Sequence, residues 1–187
     1  MIIYAFSGKQ KVGKNYVAEK LFIPLLENKN TMVMAFADHF KVDAIVKNNL
    51  PYDKAFGEKD VKTRKILQKL GTEEGRDKYG EDIWIKILDT WIRIYEERGI
   101  ERVIITDLRF KNEYEYLKSK KAIIIKIEAH NRQILNLNTS NKEILNHKSE
   151  TELNELPYDY LINNNYNNNI INDLKKIIND LKKIIPS

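Results

Sequence analysis

An α/β fold built on parallel strands is predicted by three observations. A glycine-bearing loop, Ser7-Gly8-Lys9-Gln10-Lys11-Val12-Gly13-Lys14-Asn15, stands between the apolar run Ile2-Ile3-Tyr4-Ala5-Phe6 and the helix-like Tyr16-Val17-Ala18-Glu19-Lys20-Leu21. Further along, Thr31-Met32-Val33-Met34-Ala35-Phe36 is short and apolar throughout, the pattern of a strand buried on both faces of a parallel sheet. Strand, helix and strand at this spacing make a βαβ unit, and later apolar runs continue the series.

The first strand covers about residues 2–6, and the helix behind the loop about 14–26, with Pro24 interrupting its end. The second strand, 31–36, leads into Ala37-Asp38-His39-Phe40-Lys41, at the carboxyl end where open α/β sheets place ligands. A helix follows to about Lys47. Between Asp60 and Gly71, helical spacing of Val61, Ile66, Leu67 and Leu70 predicts another helix, broken at Gly71-Thr72. Asp82 is placed to cap a long amphipathic helix carrying Ile83, Trp84, Ile87, Leu88, Trp91 and Tyr95 and ending at Gly99. Its aromatic positions read as core, Trp84 being the one nearest a loop.

Val103-Ile104-Ile105-Thr106 is the third strand and stops at Asp107-Leu108-Arg109-Phe110. A short helix over 112–120 and a fourth strand over 122–127 come next. Residues 128–150 have little apolar patterning and hold His130, Arg132 and His147. Such an excursion suits either a mobile flap or an ordinary surface helix and loop, and the two histidines lack metal-ligand spacing. Tyr158–Asn163 is the fifth strand. In the tail, Ile170-Ile171-Asn172-Asp173-Leu174-Lys175-Lys176 recurs as Ile177-Ile178-Asn179-Asp180-Leu181-Lys182-Lys183, which predicts an amphipathic helix closing over the sheet.

At 187 residues the chain suits one domain, 1–187, without an internal boundary. A hydrophobic share of 42% with 32% charged residues describes a globular protein and not a disordered one. The absence of cysteine excludes disulfides and thiolate-ligated zinc. No apolar stretch is long enough to cross a membrane and no basic leader opens the chain, so a cytoplasmic location is expected. The net charge of +5 favours anionic partners, yet the lysines are scattered over the surface. Arginines are few: Arg64, Arg76, Arg93, Arg98, Arg102, Arg109 and Arg132. Because only arginine offers a rigid fork of donors to a phosphate, each of them raises a question of geometry.

The chemistry starts at the loop. Gly8 to Lys14 has the spacing of a phosphate loop, with Asn15 where a Ser or Thr is usual. Two glycines let main-chain N–H groups converge on an anion, and the following helix adds the positive end of its dipole. Lys14 can then reach β- and γ-phosphate oxygens. Asp107, acidic and at the end of a strand, stands where a magnesium-orienting carboxylate belongs in such proteins, and Arg109 is placed to reach the same crevice.

Taken together, the chain resembles the P-loop nucleoside monophosphate kinases, and more narrowly the deoxynucleoside monophosphate kinases of phages and large viruses. The resemblance rests on Phe6–Lys9 with Gly13–Asn15, Phe36-Ala37-Asp38 with Lys41, and the stretch Arg64–Arg76 ending in Leu-Gly-Thr-Glu-Glu-Gly-Arg. It also rests on Asp82-Ile83-Trp84, Asp107-Leu108-Arg109-Phe110-Lys111-Asn112-Glu113, His147–Glu150 and Tyr158-Asp159-Tyr160. It implies a three-layer P-loop kinase fold with a five-stranded parallel sheet, an acceptor-binding region and a lid at about 128–150. The implied reaction is transfer of the ATP γ-phosphoryl group to a nucleoside 5′-monophosphate with Mg²⁺.

In that reading Gly8, Lys9, Lys11, Val12, Gly13, Lys14 and Asn15 bind ATP. Asp107 and Asn15 serve Mg²⁺, largely through water. Arg109, Arg76 and Arg64 receive the acceptor phosphate, with Asp38, Lys41, Gln68 and Trp84 also in the acceptor site. Arg132, helped by Lys126 or Lys142, enters from the lid. The partners are small nucleotides, with a homodimer allowed and neither membrane nor nucleic acid expected. Animal-type phosphomevalonate kinases share the architecture and are the alternative. A P-loop protein engaging nucleic acid would need a basic, aromatic-interleaved stripe, which is absent here, and a catalytically dead scaffold would be indifferent to loss of Lys14.

Overall fold

The structure is a computed structural model and describes residues 1–26, 30–57, 59–129, 152, 156–165 and 169–184. The strands are β1 (Ile2–Ser7), β2 (Thr31–Met34), β3 (Arg102–Leu108), β4 (Ile123–Glu128) and β5 (Tyr160–Asn163). The helices are a wide-turned π segment (Tyr16–Phe22), α1 (Asp38–Asn48), α2 (Tyr52–Phe56), α3 (Val61–Gly71), α4 (Asp77–Tyr79), α5 (Ile83–Glu97), α6 (Lys111–Ser119) and α7 (Asn169–Ile184). Two compact units are formed, one by Met1–Val33 with Gly99–Ser187 and one by Met34–Arg98.

All five strands run parallel in the order β2-β3-β1-β4-β5, an α/β P-loop kinase-like fold. Burial explains the order. Val103, Ile104 and Ile105 of β3 are completely buried, as are Ala5 and Phe6 of β1, so these strands need cover on both faces and take interior places. β2 lies at an edge, and Thr31, Met32 and Val33 are only half-buried. Of residues 31–36, expected to be buried throughout, Met34, Ala35 and Phe36 are buried, and the half-buried residues are the three at the start of this edge strand. The strand also stops at Met34, two residues earlier than expected.

In the first unit one apolar cluster joins the sheet to the helices. Phe22 meets the rings of Tyr4 and Phe6 edge-on at 5.1 and 5.5 Å. Ile170, Leu174, Ile177, Ile178 and Leu181 of α7 close the same cluster, so the repeated tail is a core helix. Burial pushes the Tyr4 phenol up in pKa, while the neighbouring Arg102 pulls it back down.

The second unit is helical apart from its first residues. Asp60 caps α3, its carboxylate accepting the Thr63 N–H at 2.7 Å. That bond holds the Asp60 pKa below its ordinary 3.8. A lowered folded pKa stabilises the folded state above the unfolded value and loses this effect as pH falls through the folded one. The Asp60 contribution should therefore be intact above about pH 4 and vanish in more acidic solution. Thermal melts of wild type and Asp60→Asn between pH 2 and 7 should converge at the acid end; curves that stay parallel would contradict the assignment.

Two expected helix signals behave differently here. α3 ends at Gly71 as expected, but Gly71 keeps helical dihedrals (φ −71°, ψ −31°) and the chain does not leave the helix there: it widens into a π turn over Thr72–Arg76 before α4. Asp82 occupies the cap position of α5 but makes no side-chain capping bond. Within α5, Trp84, Ile85, Leu88 and Ile92 are buried, while Trp91 is 43% exposed and stacks on Tyr95 at 5.8 Å. Trp91 thus lies at the edge of the apolar stripe and not within the core as expected.

Candidate active site

β1 delivers the chain to the loop at the centre of the sheet. The curl is made from three residues with left-handed backbone, Gly8 (φ 137°), Lys11 (φ 60°) and Gly13 (φ 90°). A Cβ on Gly8 would run into the carbonyl oxygen of Ile127, so the residue is fixed both by its φ and by close backbone approach. Lys11 carries a side chain in a conformation costing on the order of 1–3 kcal/mol, strain of a kind that concentrates at binding sites. Val12 is completely buried, whereas Lys9, Lys11 and Asn15 are exposed.

Lys14 is 7% exposed, and its ammonium donates to the carbonyl oxygens of Gly8 at 2.6 Å and Lys9 at 2.9 Å. The side chain is folded back over the loop that precedes it. The charge therefore sits inside the curl, where an anion would meet it in a poorly solvated setting.

The end of β3 is irregular. Ala5 pairs with Ile105 and Ser7 with Leu108, so Phe6 faces two residues, Thr106 and Asp107. A bulge of this kind re-aims side chains, and it puts a half-buried carboxylate one strand away from the residue leading into the loop. The turn after it is held by Glu113, 2% exposed on α6, whose carboxylate accepts the N–H groups of Arg109 (2.9 Å) and Phe110 (3.1 Å). Lys14, Asp107 and Arg109 thus belong to one unit and to adjacent strand ends. Lys126 pairs with Ser7 from the other side and forms an ion pair with Glu128 at 3.1 Å.

Apart from Arg109, the residues expected at the acceptor lie in the second unit. Asp38 accepts the Ala35 N–H at 2.8 Å and the Lys41 ammonium at 3.0 Å, and Lys41 lies over the Phe56 ring at 4.9 Å. Arg64 and Gln68, both half-buried, are four apart on α3 and share a face. Arg76 is 5% exposed and donates to the Glu81 carbonyl oxygen at 2.9 Å. Trp84 is buried and gives its indole N–H to the Gly71 carbonyl oxygen at 2.8 Å, with Phe40 edge-on at 5.1 Å. Arg132 and Lys142, with His130, His147 and nearly all of the proposed lid, lie outside the described residues.

A family model for deoxynucleotide monophosphate kinase matches residues 15–178, most of the chain. The chain belongs to the deoxynucleotide monophosphate kinase family. It is therefore a phosphotransferase of nucleotide metabolism that phosphorylates deoxynucleoside monophosphates, with ATP as the implied second substrate. The phosphomevalonate alternative is not favoured. No curated protein matches the chain. The family match starts at Asn15, just behind the phosphate loop, so the loop rests on its own spacing and geometry.

Three residues of this kinase carry structural roles that the sequence reading did not assign, although Gly75 and Glu113 lie within the stretches that carry the resemblance. Glu113 follows the arginine turn in sequence, but a carboxylate holding two main-chain N–H groups reads beforehand as an ordinary charge on a helix. Gly75 looks like a turn signal, yet a Cβ there would meet the Trp84 ring. Asn164 donates its side-chain amide to the Val12 carbonyl oxygen at 2.8 Å across 152 residues of sequence.

Proposed function

We propose that ATP binds with its β- and γ-phosphates in the curl of residues 8–15 and that Arg109 binds the phosphate of a deoxynucleoside monophosphate; for the second unit we propose an acceptor-binding role for Arg64 and Arg76. The observation carrying this reading is the buried Lys14 ammonium in a strained loop, one strand from the bulged Asp107. Asp38, Lys41 and Gln68 serve the acceptor's sugar and base, and Trp84 fixes the shape of the π turn beneath it. Arg132, outside the described residues, is assigned the neutralisation of transition-state charge, and the 128–150 segment the exclusion of water, because hydrolysis of ATP competes with transfer. The reaction needs only nucleotides as partners, takes place in the cytoplasm, and treats 1–187 as a single catalytic chain.

A monophosphate oxygen attacks the γ-phosphorus as the bond from that phosphorus to the β–γ bridging oxygen breaks, giving a diphosphate and ADP. With a second phosphate pKa near 6, the acceptor is mostly dianionic at neutral pH and needs no general base. The protein's task is thus positioning and charge neutralisation. Lys14 neutralises the β- and γ-oxygens while the loop amides hold them in line.

The donor set at the loop suits magnesium. Asp107 offers a carboxylate and Asn15 an exposed amide, both hard oxygen donors, and Mg²⁺ in kinases is usually held by one or two such groups, waters and substrate phosphates. Among the described residues no cluster of three His, Asp or Glu side chains that could hold a metal ion is present. When bound, Mg²⁺ supplies further neutralisation of the transferring charge.

The acceptor reading is tested by Arg109→Lys, which keeps the charge and removes the fork. The KM for the deoxynucleoside monophosphate should rise about ten-fold and kcat fall, with the KM for ATP little changed. Steady-state kinetics varying each substrate in turn measures this, and two unchanged constants would make Arg109 structural.

A further inference from the structure

We propose that Asn164 is a positioning residue for the donor phosphates, holding the phosphate loop in its binding conformation from behind. The inference rests on reading that loop as the ATP site. Residues 163–169 include Asn163, Asn164, Asn165, Asn167, Asn168 and Asn169, a run in which composition cannot single out one member. The structure does. Asn163 ends β5 with an exposed side chain, whereas Asn164 is 5% exposed. Its backbone N–H donates to the Glu128 carbonyl oxygen at 2.7 Å, which anchors it to the end of β4. Its side-chain amide donates to Val12, in a residue completely buried within the loop.

The choice of a carbonyl as partner gives the contact its consequence. A trans peptide is planar, so the C=O of Val12 and the N–H of Gly13 point in opposite directions. Drawing that oxygen toward Asn164 turns the Gly13 N–H to the other side, where the loop reading puts the phosphates. Gly13 itself sits at φ 90°, where a freed peptide has other conformations open to it. A sheet-anchored amide thus pre-sets one of the amides that cradle the anion, and binding need not order it.

The test compares Asn164→Ala and Asn164→Asp with wild type, Asn163→Ala and Lys14→Met. Titrations with a non-hydrolysable ATP analogue and with a deoxynucleoside monophosphate are read beside thermal melts. Removing a buried bond to a carbonyl should weaken analogue binding about ten-fold, and Asn164→Asp, which sets an anionic oxygen against that carbonyl, should weaken it more. Monophosphate affinity should stay within about two-fold, and Asn163→Ala should match wild type.

Unchanged analogue binding in folded Asn164 variants, with Lys14→Met impaired, overturns the proposal and leaves the ATP site standing. Equal loss of both affinities along with Tm overturns it too, as a purely structural role would give. Undiminished binding by Lys14→Met would instead remove the ATP-site reading. Should both Asn164 variants fail to fold, the wild-type side-chain amide protons decide: slow exchange that slows further with the analogue supports the proposal, and exchange indifferent to it refutes the proposal.

Discussion

Lys14→Met is expected to lower kcat by about 10²–10³-fold while leaving the fold intact, the loss typical of removing one preorganised donor at a developing charge. Lys14 is buried within the curl, so its ammonium acts where water screens little. Methionine keeps an unbranched chain of similar reach and removes the charge together with the bonds to the Gly8 and Lys9 carbonyl oxygens. Gly8 is half-buried and Lys9 exposed, so the loop that carries those oxygens has access to water. The cost should therefore fall on catalysis more than on stability. Single-turnover transfer measured beside a thermal melt separates the two. A kcat within a few-fold of wild type would remove Lys14 from the reaction.

Gly75→Ala should destabilise the second unit although it replaces glycine by a better helix former. In a helical segment the exchange is worth about 0.5–1 kcal/mol in favour of alanine. Here the added Cβ would land on the six-membered ring of Trp84, which is buried, hydrogen-bonded to Gly71 and flanked by Phe40 and His39. A ring held on so many sides cannot step aside cheaply, and overpacking of this kind costs about 1–3 kcal/mol. The clash should win, lowering Tm by on the order of 5 °C. Because Arg76 is the next residue, the acceptor KM should rise as well. A Tm equal to or above wild type would mean that the π turn relaxes freely and that Trp84 does not fix it.

These two residues mark the division between what the sequence discloses and what it hides. The curled loop behind β1 was legible because everything that defines its shape is local: an apolar strand, two glycines at fixed spacing, a lysine and a helix. The parallel character of the sheet was legible from short apolar runs without alternation. Strand placement was not. β2 reads like an interior strand, and its edge position depends on β3, some seventy residues later, pairing with β1 in its place.

The bulge before Asp107 was equally hidden, since a register offset exists only between two strands. Gly71 was legible as the end of α3 but not as the start of a π turn, and neither its fit against Phe40 nor that of Gly75 against Trp84 could be read locally, since the rings that need the missing side chains lie elsewhere in the chain. Asn164 could not be told from its neighbours, because its partner is far away in the chain. Aromatic spacing along α5 identified a buried face but not its edge, and Trp91 fell outside it.

The most direct test of the account follows the phosphoryl group itself. ATP labelled in its γ-phosphate is incubated with the enzyme and each of the four common deoxynucleoside monophosphates, with phosphomevalonate as a further acceptor. Label should appear in at least one deoxynucleoside diphosphate, and its appearance should collapse in Lys14→Met. Label passing only to phosphomevalonate or water, or reaching the deoxynucleotide equally well without Lys14, would contradict the account.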